Sequence, residues 1–259
     1  MDIVSWEEFL RGKKKNGVFA LTIGVFDGVH QGHKRLLKTV WDFAHTGHSG
    51  EPDMQACVIS FRENPKKILH PKSYPGDILV FEDKLAKFEK AGMDCVVIID
   101  FSLDFGKLKG VDFMSLICDH CRLRFLAIGE DFHFGYRLDT GAEKVKVFLE
   151  PMGVKVDIIP PVYHEGERIS STCIRGFILN GNVTAAARML GYGYTLIGQK
   201  FRGRDSSARA KITQVLPRKG SFPALFEGTS GQTEGVLTVD EHGISWHYNG
   251  DVEAITFLA

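Results

Sequence analysis

Residues 24–33 read GVFDGVHQGH, and His30 and His33 stand three apart around Gly32. Gly24 and Gly28 bring the glycines in these ten residues to three. Glycine has no Cβ, so its main chain can come close to a ligand. The run before the stretch, VFALTIGV, is apolar and β-branched, and KRLLKTVWDFA after it has helical spacing. A strand that passes through glycines into a helix presents unpaired amides and the positive end of a dipole. That arrangement suits a phosphate. No G-x-x-x-x-G-K-[ST] occurs in the chain and no G-x-G-x-x-G follows this strand, so the site is neither a P-loop nor a dinucleotide fingerprint. The turn is expected at the surface.

A second stretch, ISSTCIRG at 169–176, carries similar chemistry. Ser170, Ser171 and Thr172 are good helix N-caps, and Arg175 lies one turn further on. Hydroxyls, free amides and a guanidinium at one helix end make an anion site, because arginine binds phosphate bidentately. Alone, the stretch equally describes an ordinary capped helix. Other chemistries fit less well. H-x-x-H supplies two metal ligands without a third at standard spacing. Cys118 and Cys121 in CDHC sit inside an amphipathic helical pattern, which favours core packing over zinc or redox chemistry. No G-x-S-x-G occurs, so no nucleophilic serine is signalled.

Five β-rich runs, VFALTIGV, QACVISF, DCVVIID, RFLAIG and VKVDIIP, alternate with helical patterns. In HKRLLKTVWDFAHT the apolar residues Leu36, Leu37, Val40, Trp41 and Ala44 recur at three and four. The alternation predicts an α/β, Rossmann-like, doubly wound, five-stranded parallel sheet with its site at the strands' carboxyl ends. From about Tyr192 the texture changes to short alternating runs, KITQVLP, FPALFEG, GVLTV, ISWHY and EAITFL, which predict a small β-barrel-like domain. The expected domains are therefore 1–191 and 192–259.

Lys+Arg and Asp+Glu both number 32, so no net field draws nucleic acid or an anionic membrane. No apolar stretch approaches the roughly 20 residues of a membrane span. The start, MDIVSWEEFL, lacks the basic and apolar segments of a signal peptide, and five scattered cysteines suit a reducing compartment. A cytoplasmic protein without nucleic-acid or membrane partners is expected, with a monomer as the default.

Taken in order, GVFDGVHQGH, VISFRENPKKIL, IGEDFHFGYRLDTG and ISSTCIRGFILNGNVTAAARMLGYGYTLIG resemble the H-x-G-H nucleotidyltransferases. More narrowly, they are similar to the FMN adenylyltransferase module of bacterial riboflavin kinase/FAD synthetases, over about residues 16–199. The resemblance implies transfer of AMP from ATP to FMN, with Mg²⁺ carried by ATP and no metal site of the protein's own. It implies His30, His33 and Arg175 as catalytic residues. It implies Gly24, Phe26, Asp27, Gly28, Gly32, Ser170, Ser171 and Thr172 as the ATP site. The flavin site would be Phe61, Asn64, Pro65, Asp131, Phe132 and Phe134. The chain departs from the family pattern at several positions: Val25 replaces Asn or Thr, Ser60 a Thr, Glu63 a Pro, Asn64 a His and His133 an Arg.

In the family a riboflavin kinase barrel follows, marked by G-x-P-T-A-N. The equivalent stretch here, GQKFRGRDSSARAKITQVLP, has no Pro-Thr pair and no Asn. The resemblance thus implies a barrel kept for packing after its kinase site was lost. The basic run Lys200–Lys211 is expected as a solvated hairpin.

Overall fold

The computed structural model describes residues 1–46, 53–198, 206–208, 212–229, 231–247 and 251–258. They form two compact units, one of 1–74 with 81–162 and one of 75–80 with 163–259. No helix among the described residues is long and apolar enough to cross a membrane.

The first unit is a parallel sheet with helices. Its strands are β1 (Asp2–Ser5), β2 (Val18–Ile23), β3 (Met54–Phe61), β4 (Cys95–Ile99), β5 (Arg122–Gly129) and β6 (Lys155–Ile159). Helix α1 (Trp6–Leu10) follows β1, and α2 (Gln31–His45) follows β2. After β3 come α3 (Pro65–Leu69) and α4 (Phe81–Lys90), α5 (Gly110–His120) precedes β5, and α6 (Ala142–Leu149) precedes β6. All six residues of β2 are buried, as a strand covered on both faces requires.

The sheet order is β1-β4-β3-β2-β5-β6, with every neighbouring pair parallel. The chain lays β3 and β4 on one side of β2, then returns to lay β5 and β6 on the other. A crevice opens at such a reversal, beyond the carboxyl ends of the two strands that flank it. Those are β2 and β5. The five expected strands are all present, but the sheet has six. The extra strand, β1, pairs with β4 at the edge. It is four residues long, with Val4 buried and Ile3 exposed, too short to show a period. It ends in a capping box, where the Ser5 hydroxyl accepts the Glu8 amide and the Glu8 carboxylate accepts the Ser5 amide.

The second unit begins with α7 (Ser171–Leu179) and α8 (Val183–Leu190), which stops at Gly191 in the left-handed region. A six-stranded antiparallel sheet follows. Its strands are β7 (Thr195–Ile197), β8 (Ser206–Ala208), β9 (Gly220–Gly228), β10 (Gly231–Val239), β11 (Gly243–Trp246) and β12 (Val252–Phe257). The order β7-β12-β9-β10-β11-β8 curls as a half-barrel. Most of the basic run 200–211 lies outside the described residues. KITQVLP does not join the sheet as a strand, because Gln214 within it has another role. Its side chain is buried, accepts from the Ile197 amide at 2.8 Å, and donates to the carbonyls of Thr195 and Ile78 at 2.8 and 3.1 Å. Gln214 thereby fastens the segment 75–80 to β7. Gln214→Leu removes three hydrogen bonds to main-chain groups that are buried or half-buried, so denaturant unfolding should show a loss of about 3 kcal/mol.

Candidate active site

The loop from β2 to α2 starts at Gly24, whose amide donates to the Ile59 carbonyl at 3.1 Å. Phe26, Gly28 and Val29 all have positive φ, at 53°, 91° and 34°. The glycine tolerates this; the other two are strained. Packing holds them. The Phe26 ring is buried against Phe88, edge-on at 5.4 Å, and meets the His33 ring at 5.0 Å. Val29, Asp27 and His30 are also buried, so the turn is not the exposed one expected from sequence. Phe26 and Val29 carry it inward.

His30 is the N-cap of α2, and its Nδ1 accepts the His33 amide at 3.3 Å. In the neutral ring the proton therefore sits on Nε2, which becomes the donor. The two imidazoles stack with centroids 3.6 Å apart and planes 15° from parallel. A Cβ on Gly32 would stand 3.2 Å from the His30 ring, so Gly32 makes room for that ring at the helix start. Burial pushes His30 down to about 4, with Lys34 adding to the shift. Burial also holds His33 well below its ordinary range, helped by His30 and Lys84. At neutral pH the pair is thus two uncharged donors beside the amides of a helix start.

A cavity of about 580 Å³ opens at the carboxyl ends of β2 and β5. Gly24, Phe61, Asn64, Pro65, Phe132 and Phe134 line it, joining one expected ATP-site residue to five of the expected flavin-site residues. Phe101, Phe105, Phe113 and Tyr136 complete its walls. Phe132 and Phe134 stack at 4.8 Å, and Phe113 meets Phe134 edge-on at 5.7 Å. Such a box suits a flat aromatic ligand. The Asn64 side chain caps α3 by accepting the Lys66 amide at 3.1 Å. Asp131 is exposed and not part of the lining; its carbonyl contacts His133 Nδ1 at 3.0 Å. Phe101, Phe105 and Phe113 escaped the sequence reading. Their signal was phenylalanine density in DFSLDFGKLKGVDF. Cys118 and Cys121 are held as thiols, pushed up to about 11 and about 12 by burial.

In the second unit Ser170 is the N-cap of α7, its hydroxyl accepting the Cys173 amide at 3.2 Å. Ser171 and Thr172 form the first turn, with Thr172 exposed. Arg175 is buried and points back along the helix. Its NH1 donates to the Ser171 carbonyl at 3.3 Å, and its Nε to the Gly76 carbonyl at 3.0 Å.

The histidine pair also makes the fold sensitive to acid. Unfolded imidazoles take up protons near 6.5, whereas folded His30 does so only near 4. Stability from this source is complete above about pH 6.5 and declines as pH falls toward 4. Ligand-free thermal unfolding between pH 7 and 5 should therefore show a falling midpoint, with a shallower slope in His30→Gln.

Residues 12–173 match the family model described as FAD synthetase. A bifunctional riboflavin kinase/FMN adenylyltransferase of Haemophilus influenzae is 30% identical over 222 residues, which are 82% of this chain and 70% of that protein. The Escherichia coli K12 protein of the same description is 29% identical over 215 residues, 78% of this chain and 66% of that one. The chain thus spans about two thirds of the length of these relatives. The crystal structure of a macrolide-efflux protein from Streptococcus pneumoniae shares the fold over 99% of this chain and 97% of that one, with a TM-score of 0.79 and 24% identity. The chain belongs to the FAD synthetase family of nucleotidyltransferases.

Proposed function

We propose that this chain transfers AMP from ATP to FMN, giving FAD and pyrophosphate, and that it does not phosphorylate riboflavin. The observation that carries the first part is a neutral histidine pair at a helix start, beside an aromatic cavity at the reversal point of the sheet, within the segment that matches the family. An FMN phosphate oxygen attacks the α-phosphorus of ATP. One P–O bond forms, the bond to the β-phosphate oxygen breaks, and pyrophosphate leaves with its electron pair. The attacking oxygen is already ionised, so the step asks the protein for neither base nor nucleophile. It asks for position and for donors where charge builds up.

His30 and His33 supply such donors to the phosphates of ATP, and the amides at the start of α2 add the dipole's positive end. Gly24, Phe26, Asp27, Gly28 and Gly32 shape the loop that receives the nucleotide. Ser170, Ser171, Thr172 and Arg175 take the β- and γ-phosphates. Phe61, Phe132 and Phe134 wall the flavin, and Asn64 and Pro65 shape its edge. Asp131 serves as an outer contact. Mg²⁺ arrives on ATP, held by phosphate oxygens and water.

The transferase domain on this reading is residues 1–191. Residues 192–259 are a reduced kinase-like barrel in a monomeric, cytoplasmic enzyme that needs no nucleic acid or membrane. Loss of kinase activity rests on the stretch 198–217, which contains neither a Pro-Thr pair nor an Asn.

One assay tests both parts. The purified chain with Mg·ATP and FMN should yield FAD by chromatography, and with Mg·ATP and riboflavin should yield no FMN. Absence of FAD defeats the first part, and appearance of FMN defeats the second. His30→Ala and His33→Ala should each lower FAD formation about 10²-fold, the scale of one lost transition-state donor. His30→Ala should also cost about 1 kcal/mol of stability, because it removes a helix cap.

A further inference from the structure

The helix α4 carries a lysine where its amphipathic pattern calls for an apolar residue. Phe81, Lys84 and Phe88 fall at three- and four-residue spacing, so they share one face. Phe88 is fully buried, and Lys84 is buried with it. An ammonium out of water is costly unless hydrogen bonds and charge complementarity compensate. Lys84 Nζ donates to the carbonyl of Phe61, the last residue of β3, and lies 3.5 Å from the carbonyl of Val25. The Val25 carbonyl also accepts from the Ser60 hydroxyl at 3.3 Å. Val25 immediately precedes Phe26, the first strained residue of the phosphate loop.

The neighbouring position on the same helix face completes the contact. Phe88 supports the Phe26 ring, and that ring covers His33. One face of α4 therefore grips the loop twice, at the Val25 carbonyl through Lys84 and at the Phe26 side chain through Phe88.

We propose that Lys84 is the positioning residue of the polyphosphate loop. It draws the carbonyls of Val25 and Phe61 onto one ammonium, clamps the loop to the end of β3, and so sets His33 where its imidazole meets the phosphates of the nucleotide. This rests on the transfer reaction proposed above. The role is positioning, since Lys84 bonds main-chain carbonyls and acts through the loop. Its fixed charge also bears on His33. The titratable groups facing that imidazole are His30, stacked on it, and Lys84 from α4, and both disfavour its protonation. Burial is the main cause of the neutral state of His33, and the Lys84 charge adds to it.

The test compares Lys84→Met and Lys84→Gln with the parent chain in three measurements: calorimetric binding of Mg·ATP without FMN, KM for FMN in FAD formation, and the His33 titration midpoint by NMR in the ligand-free protein. Loss of charge-assisted bonds to the loop should weaken Mg·ATP binding about tenfold or more. The KM for FMN should rise less than Mg·ATP binding weakens, because the other walls Phe105, Phe113, Phe132 and Phe134 pack on one another. The His33 midpoint should move up in part, since burial and His30 still hold it down. Lys84→Arg should keep that midpoint low. Should Lys84→Met fail to fold, Lys84→Gln carries the same comparison.

A folded variant that binds Mg·ATP like the parent, with the His33 midpoint unmoved, overturns the proposal. A parent chain that makes no FAD, while binding and midpoint still respond to the substitution, defeats the proposed reaction and leaves the role of Lys84 standing. A parent that binds no Mg·ATP also overturns the proposal.

Discussion

Two left-handed residues within four positions, Phe26 and Val29, are the constraint around which the first unit is arranged. A conformation of that kind costs about 1–3 kcal/mol per residue and persists only when surrounding structure over-determines it. Burial of the Phe26 ring under α4 and beside His33 supplies that determination, as does burial of Val29. The strained turn leads the chain to His30, which caps α2 through Nδ1 and keeps its other nitrogen as the donor. A relaxed turn would give α2 an ordinary start without a paired imidazole. Strain, cap and stacked rings are thus parts of one arrangement.

The first unit also separates two kinds of recognition while joining them at Gly24. On one side of that residue stand amides and uncharged imidazoles, which suit an anion. On the other lies a cavity walled by phenylalanines, which suits a flat ring system. The neutral state of the histidines matters to this division. Cations there would bind a polyanion before any charge developed in a reaction, whereas neutral donors respond to charge as it builds.

Much of the first unit was legible in the sequence, for identifiable reasons. The four inner strands β2 to β5 are largely buried apolar runs because both faces are covered, and α2 and α4 carry strong three-four periodicity. The glycines and histidines of the turn stood out by type and spacing. What escaped notice lacks a local signature. β1 is too short to show a period. Phe101, Phe105 and Phe113 are common residues that become a wall only when β4, α5 and the loop after β5 converge. Lys84 was visible as a lysine on an apolar face, but its partners are main-chain carbonyls, which leave no mark in a sequence. The buried turn was misread because Asp, Gly and His suggest a surface, whereas Phe26 and Val29 decide its direction.

The segment 75–80 adds a consequence in time. First-unit residues stand on both sides of it in the sequence, yet its partners come much later. The Gly76 carbonyl meets Arg175 across 99 positions, and Ile78 meets Gln214 across 136. Closing loops of that length is slow relative to local helix formation. A chain still growing from the ribosome can build most of its parallel sheet while this segment waits undocked. Arg175 gains its Gly76 contact only after 99 further positions have been added, and Gln214 its place at Ile78 only after 136. The order of synthesis thus sets the second unit's long-range contacts after the first unit's residues have been made.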